Sequence, residues 1–159
     1  MKKINTTLLF IFKENKILLA MKKRGYGVGL YNGIGGKMQA GETIYETMLR
    51  ETKEEISVVP TDARLVGVID FDLFLKGEKT KERVHIFTAH EFEGKIQESE
   101  EMKPEWFDIK KIPYEKMFDD DLLWLPSVLQ GKLVKGFIEF DENDHTIGGK
   151  VSVVESLED

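Results

Sequence analysis

The chain contains no cysteine, which excludes disulfides and thiolate chemistry and fits a reducing compartment. It contains no apolar stretch near the ~20 residues needed to span a bilayer. No internal repeat, low-complexity segment or Pro/Gly/Ser linker interrupts it. It also lacks a basic excess: 23 Lys and Arg stand against 29 Asp and Glu, for a formal net charge of −6. A nucleic-acid binder advertises a basic surface, so no stable nucleic-acid partner is expected. An acidic protein can still bind a small polyphosphate if divalent metal or a local cationic patch offsets the repulsion. Met1-Lys2-Lys3 followed by Leu8-Leu9-Phe10-Ile11-Phe12 imitates a secretion signal. Lys13-Glu14 breaks that run and no small-residue cleavage site follows, so it reads as a buried strand. A cytoplasmic protein without membrane association is the expectation.

What is present suits one globular domain over residues 1–159. The length supports a real hydrophobic core and is short for two domains. Thr6 to Phe12 and Lys16 to Met21 are β-rich runs joined by a polar Lys13-Glu14-Asn15 turn, which reads as a hairpin. Arg24 to Met38 is a glycine-rich loop. Thr43 to Ile56 is the strongest helix. Arg64 to Leu75 and Arg83 to Phe92 read as long strands, and Trp106-Phe107 opens a short segment ending near Pro113. Asp121 to Gln130 looks helical, with Gly131 placed to end it and Pro126 implying a kink or a late start. Lys132 to Phe140 and Gly149 to Val154 read as closing strands. Strands outnumber helices and the two helices sit far apart, so the expected class is α+β, in layers.

The first helix carries the chemistry. Thr43-Ile44-Tyr45-Glu46 is a capping box. At ~100° per residue, Tyr45, Met48, Leu49, Thr52 and Ile56 share one face suited to packing on a sheet. Glu51, Glu54 and Glu55 share a neighbouring face at i, i+3, i+4 spacing. Three carboxylates so close repel one another, and near a helix C-terminus they also oppose the dipole. A hard divalent cation would offset both. A solvated charged face is the other reading of the same three residues.

A longer pattern surrounds them. Gly36, five residues, Glu42, seven residues, then Arg50-Glu51-Thr52-Lys53-Glu54-Glu55 and Val58 resembles the Nudix box, matching at every charged position. Thr52 stands where that family has an aliphatic residue, and it keeps the branch. Ser57 stands where the family has glycine. If that position needs positive φ, serine costs roughly 1 kcal/mol there. The resemblance implies a Nudix fold, a mixed sheet sandwiched between helices. It also implies metal-assisted displacement at phosphorus. Mg2+ would be the cofactor, with Mn2+ as a substitute. Glu51, Glu54 and Glu55 would bind it or help activate water, the Gly35 carbonyl and Glu101 would be further ligands, and Arg50 would orient the glutamates.

Other segments are similar to the MutT-type oxidised-purine triphosphatases of that family. They include Met21 to Gly27, Tyr31 to Lys37, Val84-His85-Ile86-Phe87, Glu101 to Phe107 and Phe118 to Pro126, in collinear order. This likeness implies that Asn32, Asp120 and Asp121 hydrogen-bond a purine edge and that Phe118 stacks on the base. Thr7, Lys22, Phe71 and Met102 would line the pocket. Two adjacent buried carboxyls lift each other's pKa, so one could stay neutral and donate. Asp119-Asp120-Asp121 also reads as a helix N-cap; the two roles are compatible. Phe71, Met102 and Trp124 also read as plain core. Glu101 lies in a run, Glu98-Ser99-Glu100-Glu101, that also reads as solvated loop. Asp119 replaces a family proline and adds charge beside the pocket, and Glu82 replaces a pocket methionine. Lys22, Lys23 and Arg24 read equally as phosphate contacts or as an exposed basic turn. His85, in an apolar strand, reads as a satisfied core residue.

The expected activity is cleavage of 8-oxo-dGTP and related oxidised purine triphosphates to monophosphate and pyrophosphate. The partner is then a small nucleoside triphosphate, and the chain a monomer or weak homodimer. Two alternatives stand beside it: a Nudix hydrolase for another triphosphate or a nucleoside diphosphate derivative, and a nucleotide-binding module without catalysis.

Overall fold

The computed structural model describes residues 2–158. Ten strands and two helices follow in order: β1 (Lys2–Lys13), β2 (Lys16–Lys22), β3 (Tyr31–Asn32), α1 (Ile44–Ile56), β4 (Val59–Pro60), β5 (Arg64–Leu75), β6 (Glu78–Ala89), β7 (Phe92–Glu93), β8 (Met102–Asp108), α2 (Asp121–Leu129), β9 (Leu133–Phe140) and β10 (Thr146–Val154). The main sheet runs β10-β9-β5-β6-β1-β2-β3, with β8 also paired to β2. β1 lies parallel to β6, and β5 parallel to β9; the other pairings are antiparallel. The sheet is therefore mixed.

Both faces of the sheet are covered, and the strand alternation shows why. Successive side chains of a strand point to opposite faces. Along β1 and β2, Leu9, Ile11, Leu18 and Ala20 join Met48 and Ile56 of α1 in one apolar layer. Phe10, Ile17 and Leu19 join Trp124, Leu125 and Val128 of α2 in the other. Such doubly buried strands read as continuous apolar runs. The α+β class and the helix–sheet–helix layering stand as expected. Among the described residues, no helix is long and apolar enough to cross a membrane.

Several boundaries differ from the sequence expectation. β6 begins at Glu78, five residues before Arg83. Glu78-Lys79-Thr80-Lys81-Glu82 looks like a polar loop, yet it pairs with β5 from Leu75↔Glu78 onward. β6 ends at Ala89, and Phe92 instead pairs with Pro60 in a separate two-stranded sheet. β8 begins at Met102 and tolerates Pro104 because it is an edge strand, paired only with β2. β10 begins at Thr146, and a register shift between Thr146 and Gly148 disguises its start. α2 starts at Asp121, so Pro126 does not delay it; the proline only removes one backbone donor from a nine-residue helix.

α1 keeps its cap. Thr43 Oγ1 accepts from Glu46 N at 3.1 Å, and Glu46 Oε1 accepts from Thr43 N at 2.9 Å. Tyr45, expected against the sheet, is 40% exposed and meets it only through an edge-on contact with Phe87. Thr47 and Glu55 are buried with Met48, Thr52 and Ile56. The helix ends at Ser57, whose φ of +68° is left-handed.

Candidate active site

The carboxylate face of α1 is organised by Arg50. Its guanidinium takes Glu42 in two hydrogen bonds, Nε to Oε2 at 2.5 Å and Nη2 to Oε1 at 3.0 Å. Its Nη1 donates to Glu51 at 2.8 Å and to Glu54 at 3.3 Å. Nη2 also reaches the Lys37 carbonyl at 3.1 Å, which ties the glycine loop to the helix. Arginine suits such a hub because its donors form a rigid fork. Glu42 also accepts from Thr47 Oγ1 and Gln39 N. The Arg50 hydrogen bonds, then that of Gln39, hold the Glu42 carboxyl down at about 2.

Glu55 is 3% exposed and accepts from Gly35 N at 3.0 Å. Burial, and then the charge of Glu51, push its carboxyl up to about 8, with Glu101 adding to the rise and Lys22 opposing it. Burial also raises Glu51, against the pull of Arg50. Glu54 and Glu101 both add to that rise. The structure thus brings Glu101 into the field of the helix carboxylates, although Arg24 pairs with it at 3.4 Å.

This donor set fits a divalent cation. All candidate ligands are oxygens, as hard cations prefer. Burial, reinforced by neighbouring carboxylate charge, raises two of the carboxyls. The glycine loop lies directly on the cluster, because a Cβ at Gly36 would collide with the Glu51 carboxyl. No hydrogen bond reaches the Gly35 carbonyl among the described residues. The cluster is not a closed cage, however. Among the described residues no three carboxylates or imidazoles converge as ready ligands. The Glu54 side chain is 57% exposed and held by Arg50.

A cavity of about 210 Å³ opens beside this cluster, between the sheet and α2. Thr7, Lys22, Asn32, Phe71, Met102, Phe118, Asp120 and Asp121 all line it, together with Gly35 and Gly36. The eight pocket positions come from β1, β2, β3, β5, β8, the segment before α2, and α2 itself. Phe71 and Met102 are at once core and lining, being 7% and 4% exposed. Asn32 Oδ1 accepts from Gly33 N, which leaves its amide N–H2 as the free end.

Asp120 and Asp121 are 3% and 2% exposed. Asp120 occupies the N-cap position of α2 but caps nothing with its side chain. Its Oδ2 accepts from Trp124 Nε1 at 2.8 Å instead. Asp121 Oδ2 is buried without any hydrogen-bond partner. Burial pushes both carboxyls up, Asp120 to about 6 and Asp121 well above the usual aspartate range. Asp120's charge adds to the rise of Asp121.

Asp119 is not among the cavity-lining residues; it accepts from Thr146 N and Thr146 Oγ1 and faces His145, and its charge adds to the rise of Asp120 and Asp121, as expected of an acid beside the pocket. It fixes the start of β10 to the approach of α2. Lys23 and Arg24 are exposed, as the basic-turn reading expects, and pair with Glu98 and with Glu100 and Glu101. His85 is half-buried with Nδ1 3.2 Å from the Thr6 carbonyl oxygen, and burial lowers its pKa.

One lining residue had no assigned role in the sequence. The Tyr26 ring stacks on Phe118 at 5.4 Å, and Phe118 stacks on Phe140 at 6.2 Å. The Tyr26 hydroxyl donates to Asp144 Oδ1 at 2.9 Å. Nothing local in the sequence ties residue 26 to residue 144.

Residues 1–128 match the family model of the NUDIX domain. The chain is similar to an oxidized purine nucleoside triphosphate hydrolase of Danio rerio, with 43% identity over 151 residues covering 95% of this chain and 96% of the relative. It is similar to the protein of the same name in Mus musculus, with 39% identity and the same coverage. In three dimensions it resembles a mutator MutT protein from Bacillus halodurans with a TM-score of 0.83, 26% identity, and coverage of 94% and 97%. A family match over most of the chain, joined to identities above 30% across nearly all of it, shows that this chain belongs to the Nudix family of hydrolases.

Proposed function

We infer that the protein hydrolyses 8-oxo-dGTP and related oxidised purine nucleoside triphosphates to the monophosphate and pyrophosphate. The observation that carries this reading is the buried Asp120–Asp121 pair, with one oxygen unpartnered, in a cavity whose lining includes Gly36, which abuts the Glu51 carboxyl. The names borne by the Danio rerio and Mus musculus relatives support it.

In this reading the base enters the cavity. Asn32, Asp120 and Asp121 bond its edge, Phe118 stacks on it, and Thr7, Lys22, Phe71 and Met102 enclose it. Because burial favours a protonated carboxyl in the aspartate pair, the pair offers both a donor and an acceptor. Glu51, Glu54, Glu55, the Gly35 carbonyl and Glu101 would hold Mg2+, or Mn2+ in its place, with Arg50 orienting the glutamates. A bound divalent ion supplies charge neutralisation at phosphate oxygens and a lowered water pKa. A carboxylate of the cluster takes the proton of the attacking water. The water oxygen bonds to phosphorus, and the P–O bond to the bridging oxygen breaks between monophosphate and pyrophosphate. We also propose a single domain over residues 1–159, acting in the cytoplasm as a monomer or weak homodimer on free nucleotide.

The test is hydrolysis of 8-oxo-dGTP, 2-hydroxy-dATP, dGTP and dATP with Mg2+, following both products. Higher kcat/KM for an oxidised base is expected; equal values for oxidised and ordinary bases refute the substrate. Glu54→Gln and Glu55→Gln should each lower kcat about a hundredfold or more with the fold intact. Rates near those of the unaltered enzyme would contradict the role given to the cluster.

A further inference from the structure

We propose that Glu82 is a specificity-determining residue of the base cavity, its carboxylate reading an N–H donor on the purine edge. This rests on the reading that the base occupies that cavity.

Glu82 lies on β6, in register with Phe71 of β5 and Ile4 of β1. The strand alternation places Thr80, Glu82, Val84 and Ile86 in one row. Ile86 of that row packs in the α2-side layer, and Glu82 and Val84 line the cavity. A carboxyl is the odd member of a row otherwise made of threonine, valine and isoleucine. Its Oε2 accepts from Thr6 Oγ1 at 3.1 Å. Among the described residues no other hydrogen bond and no cation pairs with it. The charge that acts on it is that of another acid, Asp120.

Chemistry then limits what satisfies it. An acceptor withdrawn from water without a donor is unfavourable, and the protein supplies a donor to only one oxygen of the half-buried Glu82. With Asp120 and Asp121, three carboxyls converge on one cavity. Such a wall ranks bases by the N–H groups they present. Adenine offers an exocyclic amine, and guanine offers an amine and N1–H. A carbonyl at C8 converts N7 from an acceptor into an N–H donor. Glu82 therefore adds a reason, beyond the aspartate pair, for this cavity to favour donor-rich oxopurines.

The experiment pairs side-chain changes with single-group changes in the base. Wild type, Glu82→Gln and Glu82→Met are assayed for kcat/KM on 8-oxo-dGTP, dGTP and dITP. The step from dGTP to dITP removes the exocyclic amine; the step from dGTP to 8-oxo-dGTP adds N7–H. Expected is a fall of about tenfold or more in at least one of these two substrate ratios in both variants, equal to about 1.4 kcal/mol of coupling. Glu82→Gln keeps the shape and an acceptor for Thr6, so it carries the test if Glu82→Met does not fold. A parallel change on all three substrates, leaving both ratios intact, means that Glu82 only supports the wall and overturns the assignment alone. Wild-type protein that hydrolyses none of the three overturns the proposed function and this assignment together.

Discussion

Replacing Ser57 by glycine should stabilise the protein. Ser57 directly follows α1 at φ +68° and ψ 22°, with its N–H donating to the Lys53 carbonyl at 3.0 Å. An L-residue in this left-handed region carries about 1–2 kcal/mol of steric energy that glycine does not. Glycine loses more chain entropy on folding, which removes about 0.5–1 kcal/mol of that advantage. The Ser57 side chain makes no hydrogen bond among the described residues, so its removal forfeits no partner. The net gain is then about 0.5–1 kcal/mol, or a rise of about 1–4 °C in Tm for a chain of this length. Urea unfolding followed by circular dichroism measures it, with Ser57→Ala as the control. Alanine keeps the Cβ and should stay within about 0.5 kcal/mol of wild type. If Ser57→Gly is neutral or destabilising, or if alanine stabilises equally, the backbone conformation is not the cause and the reasoning fails.

Thr43→Ala removes the side-chain half of the capping box and should lower stability by about 0.5–2 kcal/mol in the same urea assay; an unchanged midpoint would show that the cap is idle. Asp121→Asn tests the buried pair through pH. The folded chain holds a proton on Asp121 that the unfolded chain releases near pH 4. Wild-type stability is therefore lost as pH rises from about 4 through the raised folded value. Asparagine does not titrate, so the variant should match wild type near pH 4 and exceed it by about 1–3 kcal/mol at pH 8. A difference that is flat with pH would place the carboxyl's ionisation elsewhere.

The part of the site carried by one continuous element was legible in the sequence. Glu51, Glu54 and Glu55 lie within five positions of one helix, whose period places them together without any tertiary knowledge. The capping box located the helix start, and the departure at Ser57 located its left-handed end. The cavity was legible only through resemblance, because its walls come from β1, β2, β3, β5, β6, β8 and α2. Glu82 shows the difficulty in one residue. Its segment, Glu78 to Glu82, lies outside the strand expected from Arg83, yet pairing with β5 and β1 on either side makes it part of that strand. Pairing partners dozens of residues away decide such a stretch, and local propensity does not. Tyr26 and Asp144 are farther apart still, and their bond exists only because β9 and β10 return beside the glycine loop.

The departures from local stability rules fall around the site and not in the apolar layers. Leu9, Ile11, Leu18 and Met48 on one face, and Phe10, Leu19, Trp124 and Leu125 on the other, are at most 2% exposed in ordinary apolar surroundings. By contrast, Asp121 leaves an oxygen unpartnered, Glu55 is buried beside Glu51, and Glu82 is half-buried without a cation. Each arrangement is unfavourable in the free protein and each is relieved by something the site would bind: an N–H donor at Asp121 and Glu82, a cation at Glu55. Ligand that binds only the folded state adds stability in proportion to the logarithm of its concentration over Kd. The nucleotide in the cavity and the divalent ion on the adjoining carboxylates should therefore raise Tm together by more than either does alone. Scanning calorimetry of the unaltered protein with Mg2+, with a non-hydrolysable α,β-imido analogue of 8-oxo-dGTP and with both measures this. A combined shift no greater than the larger single shift would show that the two acidic clusters do not serve one ligand.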